Sequence, residues 1–206
     1  MSENKSGLRS FLSFPSMHNA LQNAVGIPAV RKWAIETNLS VRSGAKVLDI
    51  GCGTGELRPY LPNNIDYTGF DIEEKYINYA KKKFGNKGKF FVGNANSIEQ
   101  TAAGQYDIIL LFSILHHLSD EEASVLLNSV YQLLGPGGVA LSLDGVFLED
   151  QSKMAKYVLS NDRGRYVRTQ EGYTSIVRSS FIKYSVQIKK GALRIPTDLI
   201  TIKMTK

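Results

Sequence analysis

Three glycines at alternate positions follow a short apolar run that contains one acid. In the stretch VLDIGCGTGE, residues 47–56, they are Gly51, Gly53 and Gly55. Glycine lets a ligand approach the backbone closely, so this spacing predicts a binding loop. The usual nucleotide-binding spacing is Gly-x-Gly-x-x-Gly, and here the third glycine comes one position early. Glu56 follows it, and an acid at this place would repel a pyrophosphate but suit a ligand with an amino group.

A second acid extends this pattern. Asp71 lies 20 residues after Gly51, at the end of a predicted strand, where a carboxylate can accept hydrogen bonds from both hydroxyls of a ribose. A ligand with an adenosine group, an amino-acid tail and no phosphate is S-adenosylmethionine. The residues therefore predict a site for this cofactor, with S-adenosylhomocysteine as its product, at the carboxyl ends of the strands.

His116, His117 and Asp144 are the candidates for acid–base chemistry. A histidine could act as general base for a methyl acceptor, because its pKa suits neutral pH. Alternatively, one histidine packs under the end of the sheet and the other caps a helix. Asp144 could be a base, an acid that binds the acceptor, or a loop cap. Methyl transfer from a sulfonium is an in-line displacement that positioning alone can drive, so the chemistry leaves these alternatives open.

Strand-like and helix-like segments alternate along the chain, which is typical of a doubly wound parallel sheet with helices on both faces. The predicted strands are 46–50, 66–71, 89–92, 106–112 and 139–146, and the predicted helices are 15–39 (broken near residue 26), 56–61, 73–84 and 119–134. A glycine–proline turn is expected at 135–138. Alternating apolar and polar residues at 184–190 and 199–204 predict a hairpin at the sheet's edge.

Composition narrows the class of protein. The chain has 206 residues, 43% of them hydrophobic, which suits one globular domain with a full core. No apolar run approaches the ~20 residues of a membrane helix, and the start lacks the apolar core of a secretory signal. Cys52 is the only cysteine and there are three histidines, so neither an internal disulfide nor a zinc spacing is possible. These features predict a cytoplasmic protein.

Charge is distributed unevenly along the chain. Residues 1–150 hold 13 Lys+Arg against 16 Asp+Glu, a balance of −3, whereas residues 151–206 hold 12 against 3, a balance of +9. Such asymmetry can mark an anionic partner, and a solvated basic surface is the alternative.

Five motifs occur in order between residues 46 and 147. They are VLDIGCGTGE, YTGFDI (67–72), FFVGNAN (90–96), YDIILLFSILHHL (106–118) and LLGPGG (133–138). With them the chain resembles the class I S-adenosylmethionine-dependent methyltransferases, in particular the small type 11/12 group. The resemblance implies a Rossmann-like, seven-stranded, mostly parallel sheet with an antiparallel C-terminal hairpin strand. It implies one domain, 1–206, comprising a helical lid or extension (1–40), a cofactor-binding core (46–147), and an acceptor-side insert with the hairpin (148–206).

The resemblance also assigns roles at the cofactor site. The loop residues Gly51, Cys52, Gly53 and Gly55 would lie against the methionine moiety, with Asp49 orienting the loop or holding the amino group. Asp71 would bind the ribose and Ile72 the adenine face. Asn94 and Ala95 would border the adenine edge, and Ser113 would lie near the sulfonium. Asn94 replaces the family's usual acid, and its amide oxygen can accept the same hydrogen bond more weakly.

The acceptor side departs from the metal-assisted relatives. In the ubiquinone O-methyltransferases, which this region resembles, a Glu-x-x-Glu-His pattern stands where this chain has Ser113-x-x-His116-His117. Without those carboxylates Mg²⁺ has poor ligands, so we expect no metal.

The segment DRGRYVRTQEGY (162–173) is similar to one in a bacterial subgroup associated with polysaccharide or lipid modification. Its members Arg165, Tyr166 and Arg168 are candidate acceptor ligands, because guanidinium groups suit phosphate or carboxylate. Salt bridges that tie the insert to the sheet are the alternative.

The sequence thus predicts an S-adenosylmethionine-dependent methyltransferase acting on O or N of a small acceptor that is anionic or linked to a lipid or sugar. One alternative is an RNA methyltransferase, suggested by the basic last quarter; against it stand the lack of an RNA-binding module and of an Asn/Asp-Pro-Pro-Tyr motif. The other is a non-catalytic S-adenosylmethionine-binding partner subunit. The oligomeric state is left open.

Overall fold

A computed structural model describes residues 15–94, 105–162 and 164–206 of the chain. Its strands are β1 Lys46–Ile50, β2 Asp66–Asp71, β3 Lys89–Val92, β4 Tyr106–Phe112, β5 Leu134–Phe147, β6 Arg168–Thr169, β7 Lys183–Lys189 and β8 Leu199–Thr205. Seven of them follow the order β3-β2-β1-β4-β5-β8-β7, and the short β6 pairs with β5 off this path. Strands β1 to β5 pair in parallel, and β8 is antiparallel to both β5 and β7. The predicted sheet with its antiparallel hairpin is confirmed.

Helices cover both faces of this sheet. They are α1 Pro15–Val25, α2 Ile27–Asn38, α3 Glu74–Phe84, α4 Asp120–Leu133, α5 Lys153–Ser160 and α6 Gln170–Arg178. Gly26, with φ 92°, breaks the first two as the sequence predicts. Ser119 caps α4 in a reciprocal capping box with Glu122. None of the helices in the described ranges is long and apolar enough to cross a membrane.

The strand β4 shows why the middle of the sheet is so apolar. Ile109 and Leu111 pack into a core with α4 and α6, whereas Ile108, Leu110 and Phe112 pack into a second core with α2 and α3. A strand covered on both faces requires apolar side chains at successive positions. The two cores therefore fix the carboxyl ends of β1, β2, β4 and β5 at one edge.

Two predicted elements differ from the structure. The predicted helix 56–61 is only a 3-10 turn, Arg58–Tyr60, because the backbone here curls around the buried guanidinium of Arg58. That group donates to the carbonyls of Leu61, Pro62, Asn63 and Lys87 at 2.6–3.2 Å. The predicted turn 135–138 is instead an irregular start of β5, with Gly137 at φ 74° and a register shift against β4.

Candidate active site

The glycine loop after β1 has a backbone that few other residues could form. Gly51, Gly53 and Gly55 have φ angles of 72°, 54° and 75°, in the left-handed region that favours glycine. A Cβ on Gly51 would lie 2.2 Å from the side chain of Ile114, and one on Gly55 would lie 2.6 Å from the ring of Phe84. The loop is thus pressed between the turn after β4 and the helix after β2. The Cys52 side chain packs beneath it against Gly69 of β2, where burial raises the pKa of the thiol.

Asp71, at the end of β2, braces this loop. Its carboxylate accepts hydrogen bonds from the backbone N–H groups of Gly53 at 2.9 Å and Glu73 at 2.8 Å. Burial raises the pKa of Asp71, although these two hydrogen bonds oppose that effect. Ile72 follows with 67% of its surface exposed, and Asn94 is exposed beyond the end of β3. Ala95 lies outside the described residues.

Asp49 lies beneath the loop, fully buried in β1. Its carboxyl accepts a hydrogen bond from the hydroxyl of Tyr67 at 2.5 Å. Burial raises the pKa of Asp49 to about 7, although the Tyr67 hydrogen bond and the nearby charge of Arg31 lower it. A cation bound close to this carboxyl would favour its ionised form.

Helices α1 and α2 lie against the loop. The sequence predicts this region as a helical lid or extension but not these contacts. Arg31 of α2 forms an ion pair with Glu56, and both side chains are almost buried. Arg31 also donates to Gln22 at 2.8 Å. Asn19 of α1 accepts a hydrogen bond from the hydroxyl of Thr54 at 2.9 Å. This region therefore brings an arginine and an acid beside the glycines.

Ser113 begins the turn after β4 with φ 57°, the one positive φ among the described non-glycine residues. Its N–H donates to the carbonyl of Leu143 at 2.7 Å, and its side chain is exposed. Such backbone strain is found preferentially at functional sites. The next residue, Ile114, contacts Gly51, so Ser113 lies directly beside the loop.

His116 and Asp144 meet, as candidate catalytic residues should. The Nδ1 atom of His116 lies 2.7 Å from Oδ1 of Asp144, and the His116 backbone N–H donates to the same oxygen at 3.2 Å. On the other side, Nε2 lies 3.4 Å from Oδ1 of Asp162. Burial lowers the pKa of His116, but the two carboxylates raise it by more, to about 9. The ring of His117 is exposed, with its centroid 4.2 Å from that of His116.

The candidate acceptor ligands after α5 are placed differently from one another. Arg165 and Tyr166 are exposed. Arg168 is buried and uses its guanidinium within the protein, since it donates to the carbonyls of Leu115, Leu118 and Tyr166 and to Asp120 at 2.7–2.9 Å. The geometry thus favours the salt-bridge alternative for Arg168 and leaves Arg165 and Tyr166 accessible.

Across residues 15–94, 105–162 and 164–206 no group of three or more His, Cys, Asp or Glu is arranged to hold a metal ion. The metal-free expectation stays a prediction.

Comparisons with known proteins agree on one family. The family model described as "Methyltransferase domain" matches residues 47–138. The ubiquinone/menaquinone biosynthesis C-methyltransferase of Shewanella halifaxensis is 28% identical over 146 residues, which are 65% of this chain and 57% of that protein. The ubiquinone biosynthesis O-methyltransferase of Bordetella avium is 33% identical over 115 residues, which are 54% of this chain and 46% of that protein. The chain thus spans about half the length of these curated relatives.

A solved structure extends the likeness to nearly the whole chain. The plantazolicin methyltransferase BamL, in complex with a triazolic desmethylPZN analog and SAH, has the same fold with a TM-score of 0.67 and 18% identity. The match covers 97% of this chain and 91% of that chain. The family model and these relatives support a class I S-adenosylmethionine-dependent methyltransferase. This confirms the resemblance found in the sequence.

The site fits the methyl donor of the class I methyltransferases. That cofactor has an ammonium group, a carboxylate, a ribose diol, an adenine and a sulfonium. The loop offers open backbone at Gly53, where a Cβ would meet nothing closer than 3.6 Å, and the acid Asp71 beside it. Arg31 and Glu56 place opposite charges beside the loop, and Ile72 presents an exposed apolar side chain.

Proposed function

We propose that this chain transfers a methyl group from S-adenosylmethionine to an oxygen or nitrogen of a small acceptor. The observation that carries the proposal is the buried His116–Asp144 pair in the turn next to the glycine loop. An imidazole held by a carboxylate at the carboxyl edge of an α/β sheet, beside a cofactor loop, is placed to handle an acceptor's proton.

The cofactor supplies an electrophilic methyl group on a sulfonium. Asp71 binds the ribose hydroxyls while its backbone hydrogen bonds keep the loop in shape. Arg31 binds the carboxylate, and Glu56 with the ionised form of Asp49 attracts the ammonium group. We expect Ile72, Asn94 and Ala95 to border the adenine.

On the acceptor side, His116 is the candidate base and Asp144 orients it. Nδ1–H donates to Asp144, so in the neutral ring Nε2 is the atom that can take a proton. Ser113, exposed at the start of the turn next to the loop, is the candidate to orient donor or acceptor. His117, exposed beside His116, contributes to the same surface.

The acceptor that we propose is small and carries negative charge or a lipid or sugar group. Support comes from the exposed Arg165 and Tyr166 next to His116, and from the balance of +9 over residues 151–206. The curated relatives are named for ubiquinone biosynthesis, which adds a ring compound to the candidates. A cytoplasmic location and the division into residues 1–40, 46–147 and 148–206 remain predictions.

Calorimetry and a methyl-transfer assay test this function. S-adenosylhomocysteine should bind, and NAD and a short RNA should not. Radiolabelled methyl transfer to a panel of phenols, amines and anionic lipids should find an acceptor, and His116→Gln should slow its methylation by roughly 10²–10⁴-fold with cofactor affinity unchanged. Tight NAD binding with no response to S-adenosylhomocysteine would overturn the assignment.

A further inference from the structure

Asp162, Gly164 and Tyr166 lie around the His116 ring. A Cβ on Gly164 would lie 1.9 Å from Cδ2 of His116, so only glycine allows this approach. The backbone N–H of Tyr166 donates to the His116 carbonyl at 3.0 Å, and the N–H of Gly164 donates to the Asp162 carboxylate at 2.7 Å. The segment thus carries the Asp162 carboxylate to Nε2 of His116.

The two carboxylates on this imidazole are held very differently. Asp144 is buried, and one of its oxygens takes both the Nδ1 and the backbone N–H of His116. Asp162 approaches the ring at a longer 3.4 Å with a side chain that is 40% exposed, and the same oxygen accepts the N–H of Gly164. Asp144 is therefore a fixed partner. Rotation of Asp162 away from the ring would break its hydrogen bond from Gly164, whereas the backbone hydrogen bond between Tyr166 and His116 would still anchor the segment.

Charged and titratable groups approach His116 from each neighbouring element. The groups that contact the His116 ring are Asp144 from β5, Asp162 from the segment after α5, and His117 from the same turn. Arg168 binds the Leu115 carbonyl of that turn, and Tyr173 of α6 lies within the influence of the Asp144 charge. Only Asp162 among the two paired carboxylates is accessible to an incoming molecule.

We propose that Asp162 is a displaceable partner of His116, which occupies Nε2 until an acceptor takes its place and so keeps the base inactive without acceptor. The inference rests on the proposed function. With both carboxylates in place the imidazole stays protonated at neutral pH, because its pKa is held near 9, and it cannot accept a proton. When Asp162 leaves, the pKa of the ring falls by about one unit, so roughly ten times more of the ring gives its Nε2 proton to solvent at neutral pH, while Nδ1–H remains on Asp144.

The proton balance then closes. As the bond from the acceptor atom to the methyl carbon forms and the carbon–sulfur bond breaks, the acceptor's proton goes to Nε2. Return of Asp162 after product release stabilises the protonated ring again. Asp162 is a positioning residue in this scheme, since it acts through His116.

The test uses Asp162→Asn, which keeps the size and one acceptor oxygen, and Asp150→Asn as matched control. Asp150 is an exposed acid of the same region whose ion pair is with Lys190. In a ¹³C NMR titration of the histidines, His116 should titrate about one pH unit lower in Asp162→Asn than in the wild type. Asp150→Asn should leave it unchanged.

Diethyl pyrocarbonate gives an independent readout, because it modifies only neutral, accessible imidazole nitrogen. At pH 7, site-resolved mass spectrometry should show His116 reacting about tenfold faster in Asp162→Asn, as a pKa one unit lower implies. An unchanged titration or unchanged reactivity of His116 would overturn the proposal, even if the variant had a lower Tm. Asp162→Ser, whose hydroxyl can still accept from Gly164, serves if the Asn variant folds poorly.

These readouts involve no methyl transfer, so they separate the two claims. S-adenosylhomocysteine binding with an unchanged His116 titration would remove the role of Asp162 and leave the proposed function standing. A shifted titration in a chain that does not bind S-adenosylhomocysteine would remove the proposed function, and with it the catalytic meaning of the pair.

Discussion

Arg168 offers the sharpest separation between recognition of an acceptor and support of the fold. Arg168→Gln removes a guanidinium that donates to three backbone carbonyls and to Asp120. The shorter amide can keep one of these carbonyls, and each of the others costs about 1–3 kcal/mol when it is left unpaired. Asp120 is 73% exposed, so its ion pair adds little. We expect the free energy of unfolding to fall by about 2–5 kcal/mol.

For a chain of this size that loss lowers Tm by roughly 4–20 °C. Urea titration followed by circular dichroism measures it. The matched control is Arg165→Gln, three residues away and exposed, which should change the free energy of unfolding by less than about 0.5 kcal/mol. Equal stability of the two variants would refute the structural role of Arg168. A raised acceptor KM in Arg165→Gln alone would support its place in recognition.

The remaining predictions concern the cofactor and pH. Asp71→Asn should weaken S-adenosylhomocysteine binding by about 2–4 kcal/mol in calorimetry, and Asp66→Asn at the other end of β2 should not; equal affinities would discount Asp71. Because the pKa of Asp49 lies near 7, binding of the ammonium group of S-adenosylhomocysteine should release protons at pH 7. The calorimetric enthalpy of binding should therefore differ between phosphate and Tris buffers. In Asp49→Asn this difference should be absent. Because the folded pKa of His116 lies near 9, above its ordinary 6.5, its contribution to stability is complete below pH 6.5 and lost through pH 9; Tm should fall over that interval, less so in His116→Gln. EDTA should leave turnover unchanged, and restoration of lost activity by Mg²⁺ would contradict a metal-free reaction.

Local patterns were enough to predict most of the fold. The bounds of β4 follow from the sequence because a strand buried on both faces is nearly continuously apolar, and those of β2 follow from the acids at its two ends. The helix predicted at 56–61 is wrong because the guanidinium of Arg58, inside this segment, binds the carbonyls that follow it and also that of Lys87, 29 residues away. No local pattern reports such a contact.

The candidate site was predictable where it lies on a motif and not where tertiary contacts build it. Asp71 could be found by its distance from the glycines. Arg31 could not, because its partner Glu56 is 25 residues away on another element. Asp162 carries no signal of its own, since nothing in its neighbourhood indicates that Gly164 lets the backbone reach His116. Charge alone likewise could not distinguish the buried Arg168 from the exposed Arg165.

The position of β8 between β5 and β7 has a consequence for how the chain folds during synthesis. Strand β7 is made before β8, yet its sheet partner is β8. While the ribosome has reached only residue 198, β5 still has an open edge and Lys183–Lys189 has not gained its neighbour. The last pairing joins strands distant in sequence, which slows sheet completion. Until residues 199–205 emerge, the nascent chain exposes an unpaired apolar edge that can recruit chaperones or aggregate.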